Sequence, residues 1–267
     1  MLYLKDIAGK KLDDILDNII CGDCRDVLKE LPKNSIDLVV TSPPYNVGME
    51  YEEIMPEDDY TEFLTEVFKG IKRVLKPDGR VCWNVPYQMA PKGNVFSPWY
   101  CSVMAMRKAG LKYRDNITWD QCNSDNDTAW GSWCSASAPW LRHMTEAIIV
   151  GYKDQWKKLK KGKSDITRDE FLKYVLDLWR MPCASRKKYK HPAPFPEELP
   201  YRCIKLFSYI GDVVLDPFVG SGTTAAVAAK TNRHFIGIDI VEEYCLIAEK
   251  RVKDVIAQKN LVSFVQL

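Results

Sequence analysis

Apolar and polar residues follow two rhythms along the chain, and the two take turns. Short, nearly continuous apolar runs predict buried strands at Asn18–Cys21, 35–40, 80–85, 213–215 and His234–Asp239, and further strands at 113–119 and 146–151. Between them the apolar positions recur at helical spacing. Residues 59–75 carry Phe63, Val67, Ile71 and Val74 on one face, and the turn Lys76-Pro77-Asp78-Gly79 is a stop. Helices are predicted likewise at 24–31, 99–109, 201–209, 223–231 and from Val241 onward. This alternation predicts an α/β fold, a doubly wound and mainly parallel sheet with helices on both faces. One segment, 152–190, breaks the rhythm. It holds a helix predicted at 168–179, where Thr167 and Glu170 form a capping box and Phe171, Tyr174, Val175 and Leu178 an apolar stripe, ended by Met181-Pro182. It reads as a small insertion in a domain built from 1–151 and 191–267.

Composition narrows the class. A chain of 267 residues has room for one large domain, and 46% hydrophobic with 28% charged residues excludes a disordered, collagenous or coiled-coil protein. No apolar run approaches the roughly 18 residues of a membrane span, and the first twenty residues lack the pattern of a secretory signal. Nine cysteines without framework spacing suit reduced thiols and a cytoplasmic setting. Cys21 and Cys24 have no second pair and the chain has three histidines, so no metal site is expected.

A net charge of +2 hides an uneven distribution. Residues 152–190 hold thirteen Lys and Arg against five Asp and Glu, which leaves the remainder acidic. Lys157, Lys158, Lys160, Lys161 and Lys163, then Arg186, Lys187, Lys188 and Lys190, are the expected phosphate contacts of a nucleic-acid-binding lobe, because such residues displace condensed counterions. A merely solvated lysine-rich excursion is the alternative. Residues 50–62 carry seven acids and no base, and read as a solvated loop.

Two stretches carry chemistry. Asp216-Pro217-Phe218-Val219-Gly220-Ser221-Gly222-Thr223 joins a strand to a helix, where glycines allow a tight turn and the helix N-terminus offers unpaired N–H groups. Asp239 follows 17 residues after Gly222, at the end of the next strand, and can accept bonds from ribose hydroxyls. Together they describe a site for an adenosine-containing cofactor. A nicotinamide dehydrogenase fits this piece too, since Gly220-x-Gly222-x-x-Ala225 matches the loose dinucleotide pattern. The second stretch, Ser42-Pro43-Pro44-Tyr45, also follows a buried strand. Two prolines fix the backbone and leave aimed carbonyls, a hydroxyl and an aromatic face, a set that suits a planar ring with an exocyclic amine. Trp130, Trp133 and Trp140 lie between two late strands and are core anchors or base-stacking residues. Met181-Pro182-Cys183 contains the Pro-Cys pair of a cytosine C5 mechanism, a rival that leaves Ser42–Tyr45 unexplained.

Ser42-Pro43-Pro44-Tyr45 followed far downstream by Asp216-Pro217-Phe218-x-Gly220-x-Gly222-Thr223 resembles the S-adenosylmethionine-dependent amino-methyltransferases of DNA, in the permuted order of their beta group. The resemblance spans about 18–251. It implies the methyltransferase sheet, S-adenosyl-L-methionine as cofactor, double-stranded DNA as partner, and methyl transfer to a flipped base. A leading Ser implies cytosine N4, with adenine N6 the alternative. By position, Ser42, Pro43, Pro44 and Tyr45 are the implied catalytic residues. Asp216, Phe218, Gly220, Ser221, Gly222 and Thr223 line the methionine side, Asp239 takes the ribose, and Asp23 with Cys24 reads the adenine. His191 and Phe195 precede the helix that closes the pocket. The family also implies a homodimer and a cognate restriction endonuclease.

Overall fold

A computed structural model of the protein describes residues 1–48, 54–90, 93–122, 130–184 and 195–265. In chain order the elements are β1 (Leu2–Tyr3), α1 (Leu4–Ile7), β2 (Asn18–Cys21), α2 (Cys24–Glu30), β3 (Ile36–Thr41), α3 (Glu57–Val74), β4 (Leu75–Pro86), α4 (Pro98–Lys108), β5 (Lys112–Asp120), β6 (Trp130–Gly131), β7 (Pro139–Trp140), β8 (Thr145–Tyr152), α5 (Arg168–Tyr174), β9 (Leu178–Arg180), α6 (Glu198–Phe207), β10 (Val213–Asp216), α7 (Thr223–Lys230), β11 (His234–Asp239) and α8 (Glu242–Val265). Among the described residues nine strands make one sheet, ordered β1-β2-β11-β10-β3-β4-β8-β5-β9. Within it only β8 runs against its neighbours, β4 and β5; the other pairings are parallel.

The continuous apolar runs are explained by burial on both faces. Val213 and Leu215 point to one side and Val214 to the other. On the first face Leu28, Leu64, Phe68, Ile71 and Ala105 of α2, α3 and α4 cover Val39, Val81, Trp83 and Leu215, with the Phe68 and Trp83 rings 4.4 Å apart. On the second, Cys203, Ile204, Ala225, Ala248 and Val252 of α6, α7 and α8 cover Leu38, Val40, Val214 and Phe235. The doubly wound sheet expected from the sequence is therefore present.

The acidic stretch has a structural use in its second half. Glu57, Asp58 and Asp59 form the first turn of α3 and Lys72 and Arg73 its last, charges that complement the helix dipole at both ends. Glu50, Glu52 and Glu53 lie outside the described residues.

Segment 152–190 departs from expectation. The helix ends at Tyr174 rather than continuing to 179, and Phe171, Val175 and Leu178 are exposed. Leu178–Arg180 instead pairs in parallel with β5, whose free edge offers backbone hydrogen bonds, and Trp179 is buried. A helical apolar spacing thus loses to an unpaired sheet edge. Ahead of α5 the chain runs along the N-terminal ends of the strands. Ile210 donates its N–H to the carbonyl of Lys163 at 3.0 Å, and the Asp165 carboxylate is held by Arg233 at 2.8 Å and Lys205 at 3.2 Å. In place of a separate lobe, the segment supplies a strap and an edge strand to the main sheet.

Candidate active site

Neighbouring strands bring the two chemical stretches together. β3 and β10 pair with Leu38 opposite Val214 and Val39 opposite Leu215, while β4 and β11 lie to their outer sides. A parallel sheet opens a crevice at such a reversal of strand order, at the carboxyl ends. There Thr41 Oγ1 donates to Asp216 Oδ1 at 2.5 Å, so the residue before Ser42 is tied to the residue before Pro217. A cavity of about 690 Å³ lies above this tie. Ser42, Pro43, Pro44 and Tyr45 line one side and Phe218, Gly220, Ser221, Thr223 and Asp239 another, with Asp23, Cys24 and Phe195 between.

Two expected ligand residues are not in the wall. Asp216 is buried behind it, 2% exposed, with Oδ1 accepting from Thr41 and from the Phe218 N–H at 3.1 Å. Its Oδ2 has no hydrogen-bond partner, and burial pushes the carboxyl up to about 6. Gly222 serves packing. It caps α7 at φ +80°, and a Cβ there would sit 2.8 Å from the Ala248 Cα of α8. Gly220 is in the wall, and its N–H donates to Asp239 Oδ2 at 2.9 Å. Asp239 also accepts from the Val241 N–H at 2.9 Å, and burial raises its carboxyl against these bonds.

At the far end Asp23 caps α2 through the Arg25 N–H at 2.8 Å and grips the Arg25 guanidinium at 2.7 Å. That guanidinium holds the Asp23 carboxyl below its ordinary range and lies 5.5 Å over the Phe63 ring, another cavity residue. Cys24 is buried at the start of α2, and burial pushes its thiol up. Phe195 is fixed from behind: Glu197, two residues on, pairs with Arg251 at 2.8 Å, and Arg251 also donates to Thr223 Oγ1 at 2.9 Å.

Around Ser42 the structure adds residues that no sequence motif singles out. Ser42 Oγ and the Tyr45 hydroxyl are 2.8 Å apart. Tyr45 donates to Glu146 Oε2 at 3.0 Å, and Asn84 Nδ2 donates to both that oxygen, at 2.7 Å, and the Tyr45 hydroxyl, at 3.0 Å. Gln121 Nε2 closes the cluster on Glu146 Oε1 at 2.8 Å. Burial raises the Glu146 carboxyl despite these three donors, and raises the Tyr45 hydroxyl well above its ordinary value. The available signal was a polar residue inside each apolar strand run, Asn84 after Val81-Cys82-Trp83 and Glu146 before Ala147-Ile148-Ile149. Tyr60 donates to the Pro44 carbonyl at 2.8 Å and so fixes the second proline.

Other expected residues lie elsewhere. Lys158 is buried at the opposite edge of the sheet, 3.9 Å from Asp37 and 3.7 Å from Asp212, which neutralise it in place of phosphate. Lys157, Lys160, Lys161 and Lys163 are exposed on the same strap, remote from the crevice. Arg186, Lys187, Lys188, Lys190 and His191 lie outside the described residues. Cys183 is exposed and not in the cavity wall, which removes the C5 rival's nucleophile from the site. The loop between β5 and β8 leaves from the catalytic edge and forms the β6–β7 hairpin, with Trp133 74% and Trp140 50% exposed, so neither is a core anchor.

Comparison with known proteins agrees with this geometry. A family model described as DNA methylase, of the N6 and N4 type, matches residues 36–250. The type II methyltransferase M.MjaVI of Methanocaldococcus jannaschii is 42% identical over 163 residues, covering 60% of this chain and 83% of that protein. The type II methyltransferase M.BglII of Bacillus subtilis is 32% identical over 245 residues, covering 87% and 68%. A DNA modification methylase of Thermus thermophilus, described as such from its likeness to others and solved in complex with S-adenosyl-L-methionine, superposes with a TM-score of 0.71 at 28% identity, covering 90% of this chain and 95% of that one.

Proposed function

The chain belongs to the N6/N4 DNA methylase family, and on that premise we propose that it moves the methyl group of S-adenosyl-L-methionine to N4 of a cytosine flipped out of double-stranded DNA. The observation that carries this reading is the Thr41–Asp216 tie, which joins the amine-binding and cofactor-binding stretches at the floor of one cavity. A dehydrogenase has no use for Ser42–Tyr45 there.

The cavity fits the cofactor. Gly220, Ser221 and Thr223 offer backbone and hydroxyl groups at the start of α7 to an amino-acid carboxylate, and Asp239 offers its carboxylate to a ribose. Ile240, Phe195 and the Cys24 end of α2 supply apolar walls for an adenine, while Phe63 and Phe218, whose rings are 6.3 Å apart, face a cationic sulfur. When bound, the cofactor supplies an electrophilic methyl group. The protein's own part is to hold the amine. Tyr60 occupies the Pro44 carbonyl, so the carbonyls of Ser42 and Pro43 and the Ser42 hydroxyl are the acceptors for its protons. Those bonds draw the nitrogen lone pair out of conjugation with the ring. Tyr45, its hydroxyl fixed by Asn84 and Glu146, presents a ring of set orientation for the base to stack on.

Cytosine N4 is preferred over adenine N6 because the motif begins with Ser rather than Asp or Asn. Duplex DNA would then approach the carboxyl ends of the strands, meeting Trp133 and Trp140 of the hairpin and the basic residues Arg186, Lys187 and Lys188, which follow β9 and precede Phe195. A homodimer, a cytoplasmic setting and a restriction endonuclease reading the same site complete the proposal. The test is incubation with unmodified DNA and labelled cofactor, then mass analysis of the nucleosides. N4-methylcytosine is the expected product; N6-methyladenine would change the target base, and an unlabelled digest would overturn the function.

A further inference from the structure

We propose that Glu146 ends a proton path that starts at the target amine and runs through the hydroxyls of Ser42 and Tyr45. The inference rests on the proposed amine methylation and adds a residue to it. An exocyclic amine has two protons, and its methylated product keeps one, so one proton must leave. As the N–C bond forms, the C–S bond breaks with its electron pair going to sulfur. The departing amine proton passes to Ser42 Oγ, the Ser42 proton to the Tyr45 oxygen, and the Tyr45 proton to Glu146 Oε2. The product is then a neutral methylated amine, and Glu146 is a carboxylic acid that loses its proton to solvent after product release.

Geometry supports each link. Ser42 Oγ lies 2.8 Å from the Tyr45 hydroxyl, which lies 3.0 Å from Glu146 Oε2. Asn84 Nδ2 donates to both the Tyr45 oxygen and Glu146 Oε2, so Tyr45 is left to donate only toward the carboxylate. Ser42 is consequently turned to donate toward Tyr45, since its other acceptor, the Asn84 carbonyl, is farther off at 3.2 Å. Its lone pairs then face the cavity it lines. The groups that face Glu146 are Tyr45 from the loop after β3, Asn84 from β4 and Gln121 from the loop after β5. All three are uncharged. The charged residues at the ends of β5 and β9, Asp120 and Arg180, pair with each other at 3.4 Å. Burial raises the Glu146 carboxyl toward neutrality, so it can accept a proton and later return it. Glu146 does not touch the amine. It is a positioning residue that orients two hydroxyls and takes the proton they relay.

The experiment compares wild type, Glu146→Gln, Glu146→Asp and Tyr45→Phe in single-turnover methyl transfer across pH 5–9. Cofactor affinity is measured by calorimetry and carboxyl titration by difference infrared spectroscopy on the cofactor-free protein. In wild type the rate is expected to rise with pH to a plateau, at the pH where a carboxyl band attributable to Glu146 disappears. Glu146→Gln is expected to lack that band and that limb and to lose about 10²–10³-fold in rate, with cofactor affinity within about twofold. Tyr45→Phe keeps the stacking ring and the buried carboxyl, and is expected to lose the limb while retaining the band. Glu146→Asp is expected to restore part of the rate with the limb. An unchanged pH profile in Glu146→Gln, or a limb that persists in Tyr45→Phe, overturns the path while methylation by the wild type stands. Absence of methylation by the wild type instead overturns the function on which the path rests.

Discussion

A buried carboxyl with one satisfied and one orphaned oxygen links structure to pH at a single residue. Asp216 holds Thr41 and the Phe218 N–H through Oδ1 and leaves Oδ2 without a partner. Burial places its folded-state value at about 6, against 3.8 ordinarily. The native state therefore binds a proton more tightly than the unfolded chain. Its stabilising effect is complete below about pH 4 and is lost as pH rises through 6, where the carboxyl must ionise without water. Two units correspond to roughly 3 kcal/mol. Asp216→Asn stays neutral and keeps an acceptor for Thr41. Urea unfolding at pH 4.5 and 7.5 is expected to show the variant gaining on wild type at the higher pH, by up to about 3 kcal/mol. A pH-independent difference would contradict the assignment. The residue thus acts on the site through Thr41 and Phe218, as the beam between two loops rather than as a ligand.

Elements meet at close quarters where α7 begins. Gly222 caps that helix in the left-handed region, and a methyl group there would meet the backbone of α8 at Ala248. Gly211 has nearly the same φ, +81°, with nothing within 4 Å of the added atom. Gly211→Ala isolates the backbone penalty of about 1 kcal/mol, and Gly222→Ala adds overpacking of about 1–3 kcal/mol. Denaturant unfolding should show the second variant losing clearly more, and equal losses would refute the packing role. The same contrast explains what the sequence could tell. The strand at Asn18–Cys21 and the turn at 216–223 were legible because a local run or motif determines them. Residues 175–179 were misread as helix because Tyr174, Val175 and Leu178 fit its period, whereas the outcome was decided by the unpaired edge of β5, a partner distant in sequence. The site divides the same way. Ser42–Tyr45 is contiguous, but Asn84 and Glu146 become neighbours only through the register of β4 and β8, in which Asn84 faces Ile148 and Glu146 lies two residues along on the same side. Arg251 reaches Thr223 only because α8 packs on α7.

Across the whole molecule, a net charge of +2 gives no direction for an approaching polyanion, so the arrangement of charge decides. The lysine-rich strap follows the N-terminal ends of the strands, as the Lys158 contacts with Asp37 and Asp212 show. The reacting edge lies at Thr41, the other end of the six-residue β3, about 20 Å away at the rise of an extended strand. That separation is about twice the screening length at physiological salt. Lys160 and Lys161 should accordingly contribute nothing to DNA affinity, although the basic cluster suggests the reverse. Each phosphate contact steepens the fall of log affinity with log salt by about 0.9. Charge reversal at Lys160 and Lys161 is expected to leave the slope unchanged. Reversal at Arg186, Lys187 and Lys188, which connect β9 to Phe195 in the cavity wall, is expected to flatten it by about 2–3. Fluorescence anisotropy of a labelled duplex across roughly 50 to 300 mM salt measures both. The opposite result, a flattened slope from the strap pair and none from the other three, would mean that DNA lies across the N-terminal edge, where the Ser42 hydroxyl cannot reach a base.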